Sequence, residues 1–385
     1  MRFLGISVAF ILLLPAFSCG GQEESLQDLS DRVFSLAESQ ARILERQLTD
    51  RTVPRTLDAP EGTLVTAPIN WWTSGFFAGS LWQIYAHSHD EGIASRAEVQ
   101  TRKLSHLLER HTDHDIGFQL MCSYGNAFRL TGDTSYLPVL KAGAERFAGR
   151  FSPVTGTTRS WDSRPEKGWD WPVIIDNLMN LELLTFASVR FGVPEWKEMA
   201  VSHARTTARN HFRSDYSTWH LVDYDRNSGA VRSKDTYQGF SDDSMWARGE
   251  AWALYGYTMM ARETGMEEFR IQAVHIAELL FARLPEDGIP YWDFDCSDYK
   301  DASAAAIMAS GFLQLYGLTG EEAFRSMAQR QIRTLAGPEY LAEPGTNGGF
   351  LLKHCVGNLP GGSEIDVPLS YADYYFLEAL NLLIP

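Results

Sequence analysis

The chain has 385 residues, of which 44% are apolar and 22% are charged, so we expect a globular protein and exclude a disordered or fibrous one. Its 34 Lys and Arg residues against 49 Asp and Glu residues give a formal charge of −15, which argues against nucleic acid as a partner. Aromatic residues make up 12% of the chain. Rings of this kind fill cores, but they also stack on sugar faces.

The N-terminal segment predicts export. Residues 1–18 combine a positive charge at Arg2 with an apolar run, Phe3–Leu14, that is too short to cross a bilayer. Ser18 followed by Cys19 resembles the lipobox of bacterial lipoproteins, in which the cysteine is lipidated. We therefore expect a lipoprotein signal peptide over 1–18, a flexible tether over 19–27 and a single folded domain over 28–385.

These segments also predict a location. The acidic stretch Gly20–Glu24 resembles the tether that carries some lipoproteins to the outer face of the outer membrane. We expect a lipoprotein of the bacterial cell envelope, at the cell surface or in the periplasm, whose only membrane contact is the lipid on Cys19. A simple secretory signal, cleaved nearby, is the alternative.

The rest of the chain predicts helices, because long segments carry apolar residues at helical spacing and none after residue 25 shows sustained alternation. Four predicted turns place a glycine at a helix C-terminus, at Gly132, Gly192, Gly265 and Gly320. Twelve helices are expected, over 26–48, 74–87, 92–109, 117–131, 133–149, 174–191, 194–212, 246–264, 266–284, 301–317, 320–334 and 369–383.

The pattern of apolar residues favours a closed arrangement of these helices. Several first helices of a pair are apolar nearly all round, as in Trp246–Ala261, whereas the second is amphipathic, as in Glu195–Phe212. An inner ring wrapped by an outer ring explains this difference. We predict an all-α, single-domain (α/α)6 barrel of six helical hairpins, with an open α-solenoid as the competing architecture.

In such a barrel the loops that enter the inner helices lie at one end, which we call the mouth. Aromatic and charged residues concentrate there, in segments spread along most of the chain: Trp71, Trp72, His114, Asp115, Trp169, Trp171, Asp176, Trp246, Arg248, Trp252, Asp298, Tyr299, Asp301 and Tyr371. Because helix N-termini point unpaired N–H groups toward the mouth, it should suit an anionic ligand. A plain alternative for Asp115 and Asp176 is helix capping.

Four segments resemble the unsaturated glucuronyl hydrolases of glycoside hydrolase family 88. They are Trp72–Phe76 (WTSGF), His114–Phe118 (HDIGF), Asp176–Asn177 at the start of a predicted helix and, most specifically, Gln238–Trp252 (QGFSDDSMWARGEAW). The resemblance covers essentially the whole chain after about residue 28. It implies an (α/α)6 barrel, in agreement with the helix pattern.

The resemblance also implies residue roles. Asp176 matches the family's general acid and base, and Asp115 matches the carboxylate that assists it. Positions that bind the substrate correspond to Trp72, His114, His220, Gln238, Arg248 and Trp252, and a C-terminal ring corresponds to Tyr371 or Tyr374. Trp72 and Trp252 are expected to stack on sugar rings, and Asp115 is expected to raise the pKa of Asp176. No metal or other cofactor is expected.

The implied reaction is hydration of the C4=C5 double bond of an unsaturated glucuronic acid at the non-reducing end of lyase-generated oligosaccharides. Unsaturated galacturonyl-rhamnose hydrolysis is one alternative, and a non-catalytic, glycan-binding outer-membrane lipoprotein is another. Relatives selective for sulfated substrates carry Ser and Lys before the last helix. Here Gly361–Asp366 contains two acidic residues, which argues against sulfate recognition by that loop.

Overall fold

The computed structural model describes residues 24–58, 62–109 and 112–384, and all twelve predicted helices are present in them. Six outer helices alternate along the chain with six inner ones. The outer helices are α1 (Leu26–Glu45), α3 (Glu91–Lys103), α6 (Leu137–Ala148), α8 (Pro194–Asn210), α10 (Glu267–Arg283) and α12 (Glu322–Leu335). The inner helices are α2 (Ser74–Ser88), α4 (Ile116–Leu120) continued through a π-helical turn into α5 (Asn126–Thr131), α7 (Asn177–Phe191), α9 (Ala247–Thr264), α11 (Ala302–Thr319) and α13 (Ser370–Leu383).

The inner helices form a closed ring. Each packs against the next in chain order, and α13 returns to pack against α2. Every residue of α9 from Ala247 to Ala261 is buried, as expected of a helix covered on all sides. The closed ring confirms the predicted (α/α)6 barrel and is incompatible with an open solenoid. Of the described helices, only α11 is long and apolar enough to span a membrane, and it is an inner helix that is 78% buried.

The two ends of the barrel differ. At one end, Gly132, Gly192, Gly265 and Gly320 end helices in the left-handed conformation, with φ between 69° and 72°, and short turns follow. Only glycine adopts this conformation without strain, so the predicted turn glycines are confirmed. At the mouth, the connections from outer to inner helices are longer.

These longer connections contain short antiparallel strands, which the sequence analysis did not predict. In the described part of the chain, eleven strands form five small sheets: β1 (Thr52–Asp58) with β2 (Thr63–Pro68); β3 (Phe151–Ser152) with β4 (Thr157–Thr158); β5 (Trp171–Ile174), β6 (Leu221–Tyr224) and β7 (Val231–Asp235); β8 (Tyr291–Asp293) with β9 (Cys296–Lys300); and β10 (Cys355–Asn358) with β11 (Ser363–Val367). The strands have two to seven residues, too few for alternation to stand out from helical spacing.

The N-terminal predictions fall partly outside the described residues. The signal peptide over 1–18 and Cys19 lie outside them, as do residues 20–23 of the tether. Residues 24–27, predicted to be flexible, belong to the barrel instead. Ser25 caps α1 by accepting from the Asp28 N–H, and the Glu24 carbonyl oxygen accepts from Arg333.

Candidate active site

A cavity of about 390 Å³ opens at the mouth, a volume typical of small-molecule sites. Residues from five connections and from α9 and α13 line it: Arg55, Asn70, Trp71, Trp72, Asp113, Asp115, Trp161, Arg164, Ile174, Asp176, Tyr237, Gln238, Arg248, Gly357, Asn358, Ser363, Glu364 and Tyr371. Six of the nine predicted site residues are among them. The other three, His114, His220 and Trp252, are buried behind the wall.

Asp176 stands between β5 and α7, where the sheet and the helix fix its position. Its residue occupies the N-cap of α7, but its side chain makes no capping hydrogen bond. Within the described residues, the buried Oδ2 atom of Asp176 has no hydrogen-bond partner. Burial raises the pKa of this carboxyl to about 7, against the opposing effect of Arg248. A carboxyl that is half protonated near neutral pH is suited to general acid and base catalysis.

Asp115 occupies the equivalent N-cap of α4, and its side chain also makes no capping bond to any residue described. Burial raises its pKa well above the usual value, and the carboxylates of Asp113 and Asp176 raise it further. The predicted electrostatic link between Asp115 and Asp176 is a mutual repulsion, which raises the pKa of the pair. Burial, rather than Asp115, is the main cause of the raised pKa of Asp176.

His220 lies behind Asp176, because pairing of β5 with β6 brings the Ile175 N–H to the His220 carbonyl at 2.9 Å. Its Nδ1 atom accepts from the backbone N–H groups of Tyr237 and Gln238, at 2.9 and 3.3 Å. Burial lowers its pKa to about 3, so the ring is neutral and its proton is on Nε2. This Nε2 atom lies 3.8 Å from Oδ2 of Asp176.

His114 has the matching relation to Asp115. Its Nε2 atom lies 3.5 Å from Oδ1 of Asp115, and its Nδ1 atom is 3.2 Å from the Asn180 amide on α7. Burial and the charge of Arg150 lower its pKa well below the usual value, so this ring is neutral as well. Each carboxyl is thus backed by an uncharged imidazole, which adds polarity without fixing the carboxyl in its charged form.

The side chains of Arg248 and Gln238 both donate hydrogen bonds to the backbone of strand β10. The Arg248 guanidinium donates to the carbonyl oxygens of Val356 and Gly357 and lies 3.5 Å from Asp301. Gln238 donates to the same Gly357 carbonyl at 3.2 Å. The Nε atom of Arg248 has no partner among the residues described, so it can serve an incoming acceptor.

Trp72 and Tyr371 form an aromatic corner of the cavity, with ring centroids 5.0 Å apart. Arg248 lies over the Tyr371 ring at 5.5 Å, and the Tyr371 hydroxyl finds no hydrogen-bond partner in the described chain. Tyr374 points elsewhere, since its hydroxyl accepts from Asn126 and donates to Glu378. Of the two tyrosines that the sequence left open, Tyr371 is the one that faces the cavity.

The position of Trp252 differs from the prediction. This side chain is completely buried and packs against Phe118 and Tyr375, with centroid distances of 5.1 and 5.5 Å. No ring surface remains for a sugar to stack on. Its indole N–H instead favours the charged form of Asp176. Trp252 is thus placed to support the carboxyl from behind.

Sequence analysis missed several cavity residues, notably Arg55, Trp161, Arg164, Tyr237 and Glu364. They lie in the connections between helices, where strand pairing and loop course decide which side chains meet. The charged residues at the start of inner helices were easier to find. Among the residues described, no group of three or more His, Cys, Asp or Glu side chains could hold a metal ion.

The chain was compared with known proteins. The model of glycosyl hydrolase family 88 matches residues 46–379. An unsaturated glucuronyl hydrolase of Formosa agariphila is 39% identical over 92% of this chain and 90% of its own length. A second, from Bacillus sp. strain GL1, is 32% identical over 80% of this chain and 85% of its own length. The chain therefore belongs to glycosyl hydrolase family 88.

Solved structures agree. The crystal structure of an unsaturated glucuronyl hydrolase specific for heparin superposes with a TM-score of 0.90 and 44% identity, covering 93% of this chain and 97% of the other. The fold and the family membership thus rest on both sequence and structure, and the chain is an enzyme of this hydrolase family.

Proposed function

We propose that this enzyme hydrates the C4=C5 double bond of an unsaturated glucuronic acid at the non-reducing end of short oligosaccharides and thereby releases it as a keto acid. The observation that carries the proposal is the side chain of Asp176. This buried carboxyl in the cavity wall makes no capping hydrogen bond to α7, and its pKa is raised to about 7. Membership in family 88 and the unsaturated glucuronyl hydrolases among its relatives support it.

In the proposed reaction, protonated Asp176 donates its proton to C4 of the enol ether. Positive charge then develops at C5 and the ring oxygen, and the Asp176 carboxylate removes a proton from a water molecule that adds at C5. The product is a hemiketal, which opens and breaks the link to the next sugar. One carboxyl serves as acid and then as base, unlike the pair that flanks the anomeric carbon in ordinary glycosidases.

Other groups hold the substrate in this scheme. Arg248 binds the uronate carboxylate or a ring hydroxyl through its free Nε atom, with Gln238 beside it. Trp72 and Tyr371 contact the sugar faces. Asp115, whose pKa is raised well above its usual value, lies beside the substrate, and His114 supports it from behind. His220 lies 3.8 Å behind Asp176, and the Trp252 indole lowers the proton affinity of Asp176.

The test is to incubate a panel of lyase-generated disaccharides with the enzyme and follow their absorbance in the far ultraviolet. Hydration removes the conjugated double bond, so the proposal expects absorbance to fall with unsaturated glucuronyl substrates. Binding without loss of absorbance on every substrate would support the glycan-binding alternative. A strong preference for unsaturated galacturonyl-rhamnose would show that the enzyme is an unsaturated galacturonyl-rhamnose hydrolase instead.

We also propose that residues 1–18 are a lipoprotein signal peptide and that Cys19 carries a lipid that anchors the enzyme to the outer membrane. The support is the apolar run ending at Ser18 and Cys19. Expression of the full chain with a labelled fatty acid should label the wild type but not Cys19→Ala. Labelling of both, or of neither, would contradict lipidation at Cys19.

A further inference from the structure

Three arginines line the cavity, and two of them have partners. Nε of Arg55 donates to Glu364 at 2.7 Å, so this pair is neutral overall. Arg248 is buried against Asp301 and the carbonyl groups of β10. Arg55 therefore offers no unpaired positive charge to a substrate, because Glu364 neutralises it.

Arg164 is different. Across the part of the chain that the structure describes, its guanidinium makes no ion pair and contacts only aromatic rings, lying 4.9 Å from the centroid of Trp161 and 6.0 Å from that of Tyr237. An arginine held on aromatic faces keeps its N–H donors free, and these donors match the two oxygens of a carboxylate or sulfate.

Arg164 and the rings of Trp161 and Tyr237 beneath it, which we call the Arg164 platform, are fixed in place before any ligand binds. The backbone N–H and C=O of Arg164 pair with those of Trp169 at 2.9 and 3.1 Å. Trp161 stacks on Trp169 at 5.9 Å, and the Trp169 indole donates to Asp235 of β7 at 2.9 Å. Little side-chain freedom is lost when such an arginine meets an anion.

Trp161, Tyr237 and Arg164 all line the wall of the catalytic cavity. Trp161 and Arg164 also line a neighbouring cavity of about 360 Å³, together with Asn70 and Asp113, which border both spaces. Because Asp176 and Arg164 line the same cavity, a sugar that follows an unsaturated ring at Asp176 has room to lie along this wall. The Arg55–Glu364 pair presents no net charge to an anion, whereas Arg164 presents a positive one.

We infer that Arg164, presented by Trp161 and Tyr237, binds an anionic substituent, a sulfate or a carboxylate, on the sugar that follows the unsaturated glucuronic acid. This inference rests on the proposed function, since it needs the unsaturated ring to lie at Asp176. Arg164 is then a specificity-determining residue, and the preferred substrates are fragments of acidic glycans that carry charge on their second sugar.

The test measures kcat/KM on matched disaccharides that share the unsaturated glucuronic acid. One arm carries a sulfate on the second sugar, one has a uronic acid there, and one has a neutral sugar. Arg164→Gln should reduce the ratio of anionic to neutral kcat/KM about 10-fold, mainly through KM, as expected for a half-exposed charged hydrogen bond. Arg164→Lys should restore part of it. The arm that loses most identifies the anion.

Lys167→Gln is the matched control, because it removes an exposed positive charge from the same loop. This control should leave the ratio unchanged. An unchanged ratio in Arg164→Gln, or an equal loss on all three substrates, would overturn the inference. If the wild type hydrates none of these disaccharides, the proposed function fails. The inference is then tested separately by calorimetry, and equal Kd values of wild type and Arg164→Gln for the sulfated disaccharide would reject it.

Discussion

At the residue scale, the two central carboxyls occupy positions where aspartate usually stabilises a helix. Asp115 and Asp176 both stand at N-caps, yet neither side chain bonds to the helix that follows, within the described structure. Capping by aspartate contributes about 1 kcal/mol to stability. Side chains that forgo this bond and face a cavity instead are typical of groups placed for chemistry.

Replacing Asp176 tests its role directly. Asp176→Asn keeps the shape of the side chain but can no longer donate and recover a proton. We expect turnover to fall by about 10²-fold or more, since positioned acid and base catalysis contributes roughly 10²–10⁴-fold. Substrate affinity, measured by calorimetry, should stay close to that of the wild type. A variant that still turns over would show that the acid is another residue.

The raised pKa of Asp176 predicts a pH profile. The proposed first step needs the protonated carboxyl, so kcat/KM should fall as pH rises through about 7. His220, with a pKa of about 3, stays neutral near pH 7 and cannot cause this fall in kcat/KM on the alkaline side of the profile. The measurement is kcat/KM from pH 5 to 9.

Glu250 provides the control for this profile. Its pKa is also raised to about 7, but its Oε1 atom accepts from the Thr218 N–H at 2.7 Å and it does not line the cavity. Glu250→Gln should keep the alkaline limb in place. A limb that moves with Glu250, or a profile that stays flat to pH 9, would contradict the assignment to Asp176.

At the element scale, α4 and α7 carry the two carboxyls and pack unusually close together. A Cβ atom on Gly117 would lie 2.5 Å from Cα of Asn180, and the Phe118 N–H donates to the Asn180 side chain at 2.7 Å. Glycine at this crossing lets the two helix starts approach. The distance between the carboxyls thus depends on a contact one turn below them.

Gly117→Ala should push these helices apart. We expect a loss of about 1–3 kcal/mol of stability, as for other overpacked sites, together with a lower kcat/KM because the carboxyls move relative to each other. Thermal unfolding and steady-state kinetics measure the two effects. Gly317→Ala in α11, where an added methyl meets no atom within 4 Å, is the control and should leave both unchanged or slightly raise stability.

The helices could be predicted from the sequence because each is long enough for the apolar spacing to repeat several times. The charged and aromatic residues at their starts could be placed at one mouth by topology alone. Trp252 could not be assigned correctly, because a tryptophan near the start of an inner helix can lie either in the cavity wall or behind it. The sequence does not distinguish these two positions. Arg164 was missed because its loop is fixed by pairing with Trp169, which leaves no periodic signal.

At the scale of the whole molecule, a buried acid at the active site should make the folded chain less stable at neutral pH and above than in acidic solution. Asp176 has a pKa of about 7 when folded and an ordinary value of 3.8. The folded chain therefore holds an extra proton between these values, and stability is lost as pH rises through about 7.

Asp176→Asn removes this penalty. Its gain in unfolding free energy over the wild type should grow from pH 5 to pH 8, by a few kcal/mol at most, because each pKa unit corresponds to about 1.4 kcal/mol. Thermal unfolding at both pH values measures the difference. The exposed Asp298→Asn should show no such trend. A gain that is equal at both pH values would mean that the folded Asp176 has an ordinary pKa.

The alternation of inner and outer helices also fixes how the barrel would face a membrane. The chain enters each inner helix at the mouth, so α1 begins and α13 ends at the opposite, turn-bearing end. Only five residues stand between Cys19 and Ser25, so an extended chain would reach at most about 20 Å from one to the other. A lipid on Cys19, as proposed above, would thus attach to the end of the barrel opposite the mouth and leave the cavity open to the surrounding solution.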